Sequence, residues 1–554
     1  MTGSRYCLAL AAVVWMVNLA VPAEVKVDLG TVTERHEMVP MRDGKKLSVY
    51  LYFPAGKGPW PVLLEQRYAD LRAPLTRKSF AKLAEAGYVV AAQNFRGTHQ
   101  SEGNWVGYRA LGWGEKQDGY DTVEWLAKQP WSTGKIGTFG SSQAGFAQNF
   151  LAVAQPPHLV CQYMIDTGLS LFHEGYRIGG ITRPERFKQM DAVCRDPRDN
   201  RRLLDEWFRH PTYDAYWAQE DCSRHFARMN VPCFTVGSWY DFMCVGCVDS
   251  FVGRQLHGGP RSRGQQQLLL GPWLHGRVKE VNKTGDLTYP ENARFAMDAH
   301  MIRWFDYHLK GIDNGVPRDP TVRYYTMGAV GEKDAPGNVW RTASTWPLPA
   351  RTTSYYLREG GKLSTQAPTE EASSTRFLAD PLRPNAIAGL GFPGAKDARA
   401  FEKQAQVRTF TTEVLTAPVE WTGKVQAELY VTSTAKDTDF IVRVSDVYPD
   451  GRSILLMDYV RRARYREGYE KEVFLEAGKV HKVAFDVGWT SQVFNRGHRI
   501  RITIASTGAP FYEPNPNTGD PLTVEPPKTT VVATNTVHHH RLHASRIIAP
   551  LLPR

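Results

Sequence analysis

The sequence predicts an α/β domain built on a mostly parallel sheet, a helical insertion within that domain, and an all-β domain at the C-terminus. Between residues 47 and 271, short apolar runs alternate with helix-like segments, which indicates a parallel sheet covered by helices on both faces. From about residue 351 onward, β-branched alternation and turn clusters dominate, as in a β-sandwich or jelly roll. A chain of 554 residues is too long for one ordinary core, so several domains are expected.

Each strand of the predicted parallel sheet is a run of five to eight mostly apolar residues. The seven runs are residues 47–53, 61–66, 88–95, 135–139, 159–165, 233–237 and 267–271. Residues 166–231 break this rhythm because they are charged, aromatic and without a convincing buried strand. We therefore expect a helical cap at 166–231 between two parts of the α/β domain, 24–165 and 232–345. The predicted jelly-roll domain then takes residues 346–554.

The N-terminus has the pattern of a secretory signal peptide. Arg5 precedes an apolar stretch over residues 6–20, and small residues at a cleavage position follow in Val21-Pro22-Ala23. The apolar stretch is shorter than the ~20 residues that span a bilayer, so no stable membrane insertion is expected. We predict a signal peptide at residues 1–23, cleavage after Ala23, and a secreted or periplasmic protein.

Six of the seven cysteines lie in one stretch of the predicted mature chain. They are Cys161, Cys194, Cys222, Cys233, Cys244 and Cys247. Export would place them in an oxidising compartment, so we expect one or two structural disulfides, whose pairing the sequence leaves open. The CxxC pair at 244–247 has no second CxxC or nearby His pair, and no metal site is predicted.

The charge of the chain does not indicate a polyanionic partner. The formal net charge is +11 at pH 7, but lysines and arginines are scattered and form no tight block. We therefore expect no binding of nucleic acid.

A nucleophile motif follows the fourth apolar run. Residues 140–145 (GSSQAG) lie between a predicted strand and a helical run, and a nucleophile on such a sharp turn needs tiny residues two places before and after it. Gly140 and Ala144 meet this need around Ser142, whereas a nucleophile at Ser141 would place a phenylalanine at the crowded position. Backbone N–H groups at the helix start can then receive an oxyanion. Ser142 is the predicted nucleophile.

An acid and a base follow in the order that α/β-hydrolases use. Asp241 and His275 each come after a predicted strand, so both lie in loops at strand ends. In such a triad the carboxylate accepts one imidazole N–H, and the other ring nitrogen takes the serine proton. His99 is the competing base, but it precedes the nucleophile and lies in a Gly/Ser-rich loop. The predicted triad is therefore Ser142, His275 and Asp241.

A family resemblance runs through nearly all of the predicted mature chain. Its N-terminal phrases are GYVVAAQNFRGTHQSEG (87–103), DGYDTVEWLAKQPWSTGKIGTFGSSQAG (118–145), VPCFTVGSWYD (231–241), GPWLHG (271–276) and RWFDYHLKGIDNGV (303–316). Its C-terminal phrases are DTDFIVRVSDVYPDG (437–451), RARYREG (462–468) and NPNTG (515–519). These phrases, in this order, resemble the family of cocaine esterases, α-amino-acid ester hydrolases and X-Pro dipeptidyl-peptidases. The resemblance implies an α/β-hydrolase with a helical cap, followed by a jelly-roll domain.

The resemblance also implies an oxyanion hole made by a tyrosine hydroxyl and a backbone N–H. The matching tyrosine is Tyr68, and the N–H belongs to Gln143, the residue after the nucleophile. Members of the family usually have tyrosine directly after the nucleophile, so Gln143 departs from their pattern, but its backbone N–H is unchanged.

A second departure concerns the substrate. In the amino-ester hydrolases, acidic residues two and three places after the catalytic Asp help to bind an ammonium group, but this chain has Met243 and Cys244 there. Asp166 and Glu174 are the other candidate carboxylates, and we interpret both as surface or helix-capping residues. The α-amino-acid ester interpretation is weakened accordingly.

The sequence thus predicts an exported serine hydrolase that cleaves an ester or amide bond through an acyl-enzyme intermediate. Its substrate is expected to be a small ester or amide, or a peptide, and no metal or organic cofactor is expected. Two alternatives stay open: an Xaa-Pro dipeptidyl-peptidase, and a catalytically decayed protein that binds carbohydrate or protein through its jelly roll. The oligomeric state, a homo-oligomer included, is also left open.

Overall fold

The computed structural model describes residues 26–182, 190–276, 281–387, 394–523 and 525–552. The predicted signal peptide and its cleavage site lie outside these residues. Within the described ranges, no helix has both the length and the apolar character needed to cross a membrane. Two large sheets organise this part of the chain, one of ten strands and one of twelve.

The ten-stranded sheet contains all seven strands predicted from the apolar runs. Its strands are β1 (Thr33–Pro40), β2 (Lys46–Phe53), β3 (Trp60–Arg67), β4 (Val89–Asn94), β5 (Ser132–Ser141), β6 (Leu159–Ile165), β7 (Cys233–Ser238), β8 (Gln266–Gly271), β9 (Val322–Thr326) and β10 (Val339–Ala343). Their spatial order is β1-β2-β4-β3-β5-β6-β7-β8-β9-β10, and the strands from β4 to β9 run parallel. The loops after β5, β6, β7 and β8 therefore meet at one edge of the sheet.

Helices cover this sheet and form most of the insertion between β6 and β7. The described α-helices are α1 (Pro74–Glu85), α2 (Asp118–Ala127), α3 (Gln143–Ala154), α4 (Pro197–Arg209), α5 (Ala215–Ala218), α6 (Cys244–His257), α7 (Met297–Phe305) and α8 (Arg399–Glu402). In the insertion, α4 begins after Asp196, whose side chain accepts the N–H of Arg198, and it buries Leu203, Leu204 and Trp207. The insertion also holds a short hairpin of Arg177–Ile178 and Ile181–Thr182. None of its described strands joins the main sheet, as expected for a cap.

The chain from residue 351 onward is rich in β-strands, as predicted. Its strands are β11 (Arg351–Arg358), β12 (Lys362–Ser364), β13 (Ser374–Ala379), β14 (Arg408–Thr411), β15 (Val419–Ser433), β16 (Asp439–Val447), β17 (Ser453–Arg462), β18 (His481–Phe494), β19 (Arg499–Ala505), β20 (Ala533–His540), β21 (His543–Ala544) and β22 (Arg546–Leu551). The ten-stranded sheet ends at β10 and the second sheet begins at β11, next to the boundary predicted at 345/346. The domain boundaries and the jelly-roll topology stay predictions.

Three of the C-terminal phrases meet in one buried network of charges. Arg462 Nε lies 2.9 Å from Asp439 Oδ1, and Arg464 Nε lies 2.7 Å from Asp437 Oδ2. The Asn515 side-chain amide donates to both carboxylates at 2.8 Å. Removing either partner of the fully buried Arg462–Asp439 pair would leave a buried charge without its ion-pair partner, which is strongly destabilising. The phrases that resemble the family in this domain therefore contain, in part, residues that stabilise its fold.

The same region of the C-terminal domain supports the cap. The backbone N–H of Arg462 donates to the carbonyl of Gly179 at 2.9 Å, and the Tyr465 hydroxyl donates to the carbonyl of Pro211 at 2.7 Å. Gly179 has a φ of 63°, and a Cβ there would lie 1.8 Å from the Val460 carbonyl oxygen, so only glycine fits. The C-terminal domain thus fixes the position of the cap hairpin.

The expected disulfides are wrong for the described cysteines. All six are free and buried, in the sheet, in α6 or in the cap. Cys247 is typical: its thiol lies 3.3 Å from the carbonyl oxygen of Thr167 and 3.5 Å from that of Val236. Burial raises its thiol pKa well above the ordinary value, so the thiol stays neutral. These cysteines serve as small apolar side chains at core positions.

Candidate active site

The turn between β5 and α3 holds Ser142 in a rare conformation. Its φ is 59°, in the left-handed region, which is uncommon for a residue with a side chain and often marks a functional position. Its N–H donates to the Ile165 carbonyl at 3.0 Å, and its carbonyl accepts the Gly145 N–H at 2.9 Å. Gly140 has a φ of 137°, and a Cβ there would lie 2.5 Å from the Ala144 Cβ. The turn therefore needs the tiny residues that the sequence places around Ser142.

The loops after β7 and β8 bring the predicted acid and base to Ser142. His275 Nε2 lies 2.9 Å from Ser142 Oγ, and His275 Nδ1 lies 2.8 Å from Asp241 Oδ2. Because an ionised carboxylate only accepts, Nδ1 carries the hydrogen and Nε2 accepts the serine hydroxyl. The Asp241 side chain is fully buried, and its Oδ1 accepts the N–H of Met243 at 3.1 Å. The three residues form one hydrogen-bonded chain.

The competing residues lie differently. His99 Nε2 is 3.0 Å from the carbonyl oxygen of Tyr68, so its ring contacts the backbone of the Tyr68 loop. His275 is the histidine that reaches the turn, and it forms a hydrogen bond with Ser142. Ser142 lies two places after Gly140 and two places before Ala144. The geometry favours Ser142 over Ser141 and His275 over His99.

Gln143 has a role that the sequence did not reveal. Its side-chain Oε1 accepts the backbone N–H of Tyr68 at 2.9 Å and that of Ala69 at 3.0 Å. The residue after Ser142 therefore holds the Tyr68 loop beside the start of α3. The Tyr68 ring packs edge-on against three aromatic rings, with centroid distances from 5.8 to 6.5 Å, namely Phe95, Trp105 and Tyr108. These contacts hold both predicted oxyanion residues in the same cleft.

The cleft at Ser142 is small, and tyrosine, serine, glutamine and histidine side chains lie beside apolar ones in its lining. Its volume is about 210 Å³, and its lining residues are Tyr68, Tyr108, Ser142, Gln143, Phe146, Leu171, Gly175, Tyr176, Met190, Met243 and His275. Aromatic, aliphatic and thioether side chains dominate this lining, and none of these residues carries a carboxylate. A compact uncharged group is the ligand that such a surface favours.

The structure separates the two candidate carboxylates, Asp166 and Glu174, from this lining. Glu174 Oε2 accepts the N–H groups of Leu169 and Ser170, each at 2.7 Å, so the helix-capping interpretation holds for it. Burial raises the pKa of Glu174 to about 8, although both N–H groups lower it. Asp166 is fully buried after β6, and its Oδ2 accepts the N–H of Gly276 at 2.8 Å. The surface interpretation of Asp166 was wrong, because the loop after β8 covers this residue.

Two family profiles match most of the chain. Residues 43–202 and 185–277 match the X-Pro dipeptidyl-peptidase (S15 family) profile. Residues 314–548 match the profile of the X-Pro dipeptidyl-peptidase C-terminal non-catalytic domain.

Individual relatives extend these matches over nearly the whole length. A cocaine esterase from Rhodococcus sp. (strain MB1 Bresler) is 31% identical, over 93% of this chain and 98% of its own. A solved α-amino acid ester hydrolase has a TM-score of 0.82 at 23% identity, covering 97% of this chain and 100% of that one. A solved aminopeptidase from a marine sediment Thaumarchaeota archaeon has a TM-score of 0.83 at 23% identity, covering 95% and 98%. The two structures confirm the predicted fold, and the sequence matches identify the family.

Three observations indicate the same class of enzyme. Ser142 lies on a sharp turn, the named members of the family are serine esterases and peptidases, and the fold matches that of a solved ester hydrolase. The chain is a serine hydrolase with the α/β-hydrolase fold, and it belongs to the X-Pro dipeptidyl-peptidase (S15) family that includes the cocaine esterases.

Proposed function

We propose that this protein hydrolyses esters with a compact uncharged acyl group, through an acyl-enzyme formed on Ser142. The observation that carries the proposal is the hydrogen-bonded chain of Ser142, His275 and Asp241 at the edge of a cleft of about 210 Å³ whose described lining holds no carboxylate. Such a chain activates a hydroxyl that is otherwise a weak nucleophile. The similarity to a cocaine esterase over 93% of the chain supports the preference for esters.

Each residue of the chain has one task in the proposed reaction. Ser142 Oγ attacks the ester carbonyl while His275 Nε2 takes its proton, and the same nitrogen returns the proton to the leaving alcohol. Water then attacks the acyl-enzyme with His275 again as base, which releases the acid and restores Ser142. Asp241 keeps the hydrogen on Nδ1 and stabilises the imidazolium that forms.

The negative oxygen of the tetrahedral intermediate needs donors that are already in place. We assign these donors to the Tyr68 hydroxyl and the Gln143 N–H. The first N–H groups of a helix have no partner within the helix, and α3 begins at Gln143. The Gln143 side chain, by binding the backbone of Tyr68 and Ala69, keeps the two donors at a fixed separation.

The Xaa-Pro dipeptidyl-peptidase is the second candidate, because the matching family profile carries that name. Such an enzyme must hold a free N-terminal ammonium group, and a buried ammonium needs a carboxylate partner. The described lining of the cleft offers none, since Met243 lines it and both Asp166 and Glu174 lie elsewhere. This absence favours an uncharged acyl group.

We also propose that the protein is exported, from the signal-peptide pattern at residues 1–23. The C-terminal domain is proposed to be a jelly roll that supports the cap, since it contacts the hairpin at Gly179. A protein that only binds ligands through this domain would not need the strained Ser142 turn and its hydrogen-bonded base.

A matched pair of substrate classes tests the proposed preference. We expect rapid hydrolysis of p-nitrophenyl acetate, butyrate and benzoate, and turnover of Gly-Pro-p-nitroanilide lower by about 100-fold or more, because the described part of the lining offers no carboxylate partner for an ammonium group. Release of the nitrophenol and the nitroaniline is followed by absorbance. Strong turnover of the anilide alone would contradict the ester preference.

The Tyr68→Phe variant tests the proposed oxyanion hole. We expect kcat to fall by about 10²-fold with little change in KM, because the hydroxyl acts on the tetrahedral intermediate more than on the bound ester. Tyr108→Phe is the matched control, since Tyr108 lines the same cleft and packs against the Tyr68 ring. Equal effects of the two substitutions would remove the special role of Tyr68.

A further inference from the structure

A second carboxyl group, that of Asp166, lies close to Asp241 and His275 of the proposed triad. Asp166, Asp241 and His275 each have an oxygen or nitrogen atom that lies within 4.8 Å of such an atom of the other two residues. Among the described residues, no other group of three His, Cys, Asp or Glu side chains is this close together. Asp166 follows β6 and Asp241 follows β7, so the two acids come from neighbouring parallel strands. Asp166 has a φ of 45°, a left-handed conformation that turns the chain at this point.

The two carboxyl groups differ in what they bind. Asp241 is paired with His275 through Oδ2, and its Oδ1 accepts the N–H of Met243. Asp166 Oδ2 accepts the N–H of Gly276, and the only other group that hydrogen-bonds this carboxyl among the described residues is the side chain of Ser238. Two negative charges this close in a buried site repel strongly, so one carboxyl should hold a proton. Asp241 accepts a hydrogen bond through each oxygen, from His275 and from Met243, so the proton is better placed on Asp166.

The surrounding groups support this distribution. The titratable groups that face Asp166 are Asp241 in the loop after β7, His275 in the loop after β8, and the thiols of Cys244 and Cys247 on α6. Burial keeps the pKa of both thiols well above the ordinary value, so they carry no charge. Burial raises the pKa of Asp166 from 3.8 to about 7, and the Asp241 charge adds to this rise.

We propose that Asp166 is a positioning residue for the base: it anchors the His275–Gly276 loop and exchanges a proton in concert with the imidazole, so that it is neutral at low pH and becomes a second negative charge beside His275 as pH rises. This inference rests on the proposed triad chemistry. It gives the enzyme a second proton site, coupled to the base, at the core of the active site. The site lies away from the substrate cleft and acts only through His275.

Ionisation of Asp166 has a defined direction of effect on activity. Above its pKa of about 7, Asp166 adds a second negative charge close to His275, and that charge favours the protonated imidazole. Protonated His275 cannot accept the proton of Ser142. The acidic limb of the kcat/KM profile therefore lies at higher pH in the natural protein than in a protein without this carboxyl group.

The Asp166→Asn variant tests the proposal, because its amide oxygen still accepts the Gly276 N–H but its side chain never ionises. We expect the acidic limb of kcat/KM for p-nitrophenyl butyrate to move to lower pH by about one unit. We expect kcat at the optimum to stay within about tenfold. Asp166→Ala should show the same limb shift together with a larger loss of kcat, since the anchor for Gly276 is gone.

A second measurement does not depend on activity. The native pKa of Asp166 lies above its ordinary value of 3.8, so the stability it contributes is present at low pH and is lost as pH rises toward 7. Relative to the natural protein, Asp166→Asn should therefore gain stability between about pH 4 and pH 7. The ratio of the two unfolding constants should change by up to about tenfold per pH unit, and then level off.

Glu174→Gln is the matched control, because it removes another buried carboxyl whose pKa is raised, to about 8, but which binds Leu169 and Ser170. Its acidic limb should coincide with that of the natural protein. The proposal is overturned if the limb of Asp166→Asn is unshifted, or if its stability difference is independent of pH. A pH-dependent stability difference in a protein without esterase activity would instead uphold the proton site and reject the proposed function.

Discussion

Replacing Ser142 with alanine is expected to abolish ester hydrolysis, with a fall in kcat of about 10⁴ to 10⁶-fold. The acyl-enzyme forms on the Oγ atom of Ser142, which alanine lacks. The backbone of the turn should be unchanged by the substitution. His275 Nε2, now 2.9 Å from Oγ, would have no nucleophile to activate. The cleft would still bind substrate, so KM measured on any residual turnover should change little.

The measurement combines turnover with covalent labelling. A fluorophosphonate probe should add one label to the natural protein, and peptide mass mapping should place that label on Ser142. Ser142→Ala should take no label, while Ser141→Ala, the matched control at the neighbouring position, should label and turn over substrate as the natural protein does. Full activity of Ser142→Ala, or labelling at Ser141, would contradict the assignment of the nucleophile.

The parts of the site that the sequence predicted depend on local order along the chain. Ser142, Asp241 and His275 each follow an apolar run, and parallel strands bring their carboxyl ends to the same edge. Once the runs were identified as strands, their loops had to meet. The need for Gly140 and Ala144 is equally local, because it arises within a single turn.

The features that the sequence did not predict depend on partners far away in the chain. The edge strand Thr33–Pro40 is mostly polar and shows no apolar run, so only its pairing with Lys46–Phe53 defines it. The bonds of Gln143 to Tyr68 and Ala69 join residues more than 70 positions apart. Such contacts are set by tertiary packing, which no short pattern encodes.

The predictions for Asp166 and for the cysteines were wrong because the surroundings of these residues also come from distant parts of the chain. A carboxyl group after a strand suggested a surface position, because buried acids are rare. Burial of Asp166 becomes intelligible only when Gly276 and Asp241 are seen around it. For the cysteines, export suggested disulfides, whereas the core of the fold uses each thiol as a small apolar group.

Asp241→Asn is expected to lower kcat by about 10⁴-fold while leaving KM nearly unchanged. The amide has the shape of the carboxyl group, but it has one acceptor oxygen in place of two. If that oxygen stays with the Met243 N–H, the amide nitrogen faces His275 Nδ1 and donates to it. The imidazole then carries its hydrogen on Nε2, where it cannot accept the proton of Ser142.

The effect is measured as kcat and KM on p-nitrophenyl butyrate, with circular dichroism to show that the fold is retained. Glu174→Gln again replaces a buried carboxyl group by an amide, here within the cap, and should keep kcat within a few-fold of the natural value, so a carboxyl-to-amide change alone is excluded as the cause. A fall of less than about tenfold in Asp241→Asn would contradict the assigned acid. Because Asp166 lies within 4.8 Å of the same imidazole, that result would mean that Asp166 orients His275 as an ionised carboxylate, and it would also overturn the neutral state proposed for it.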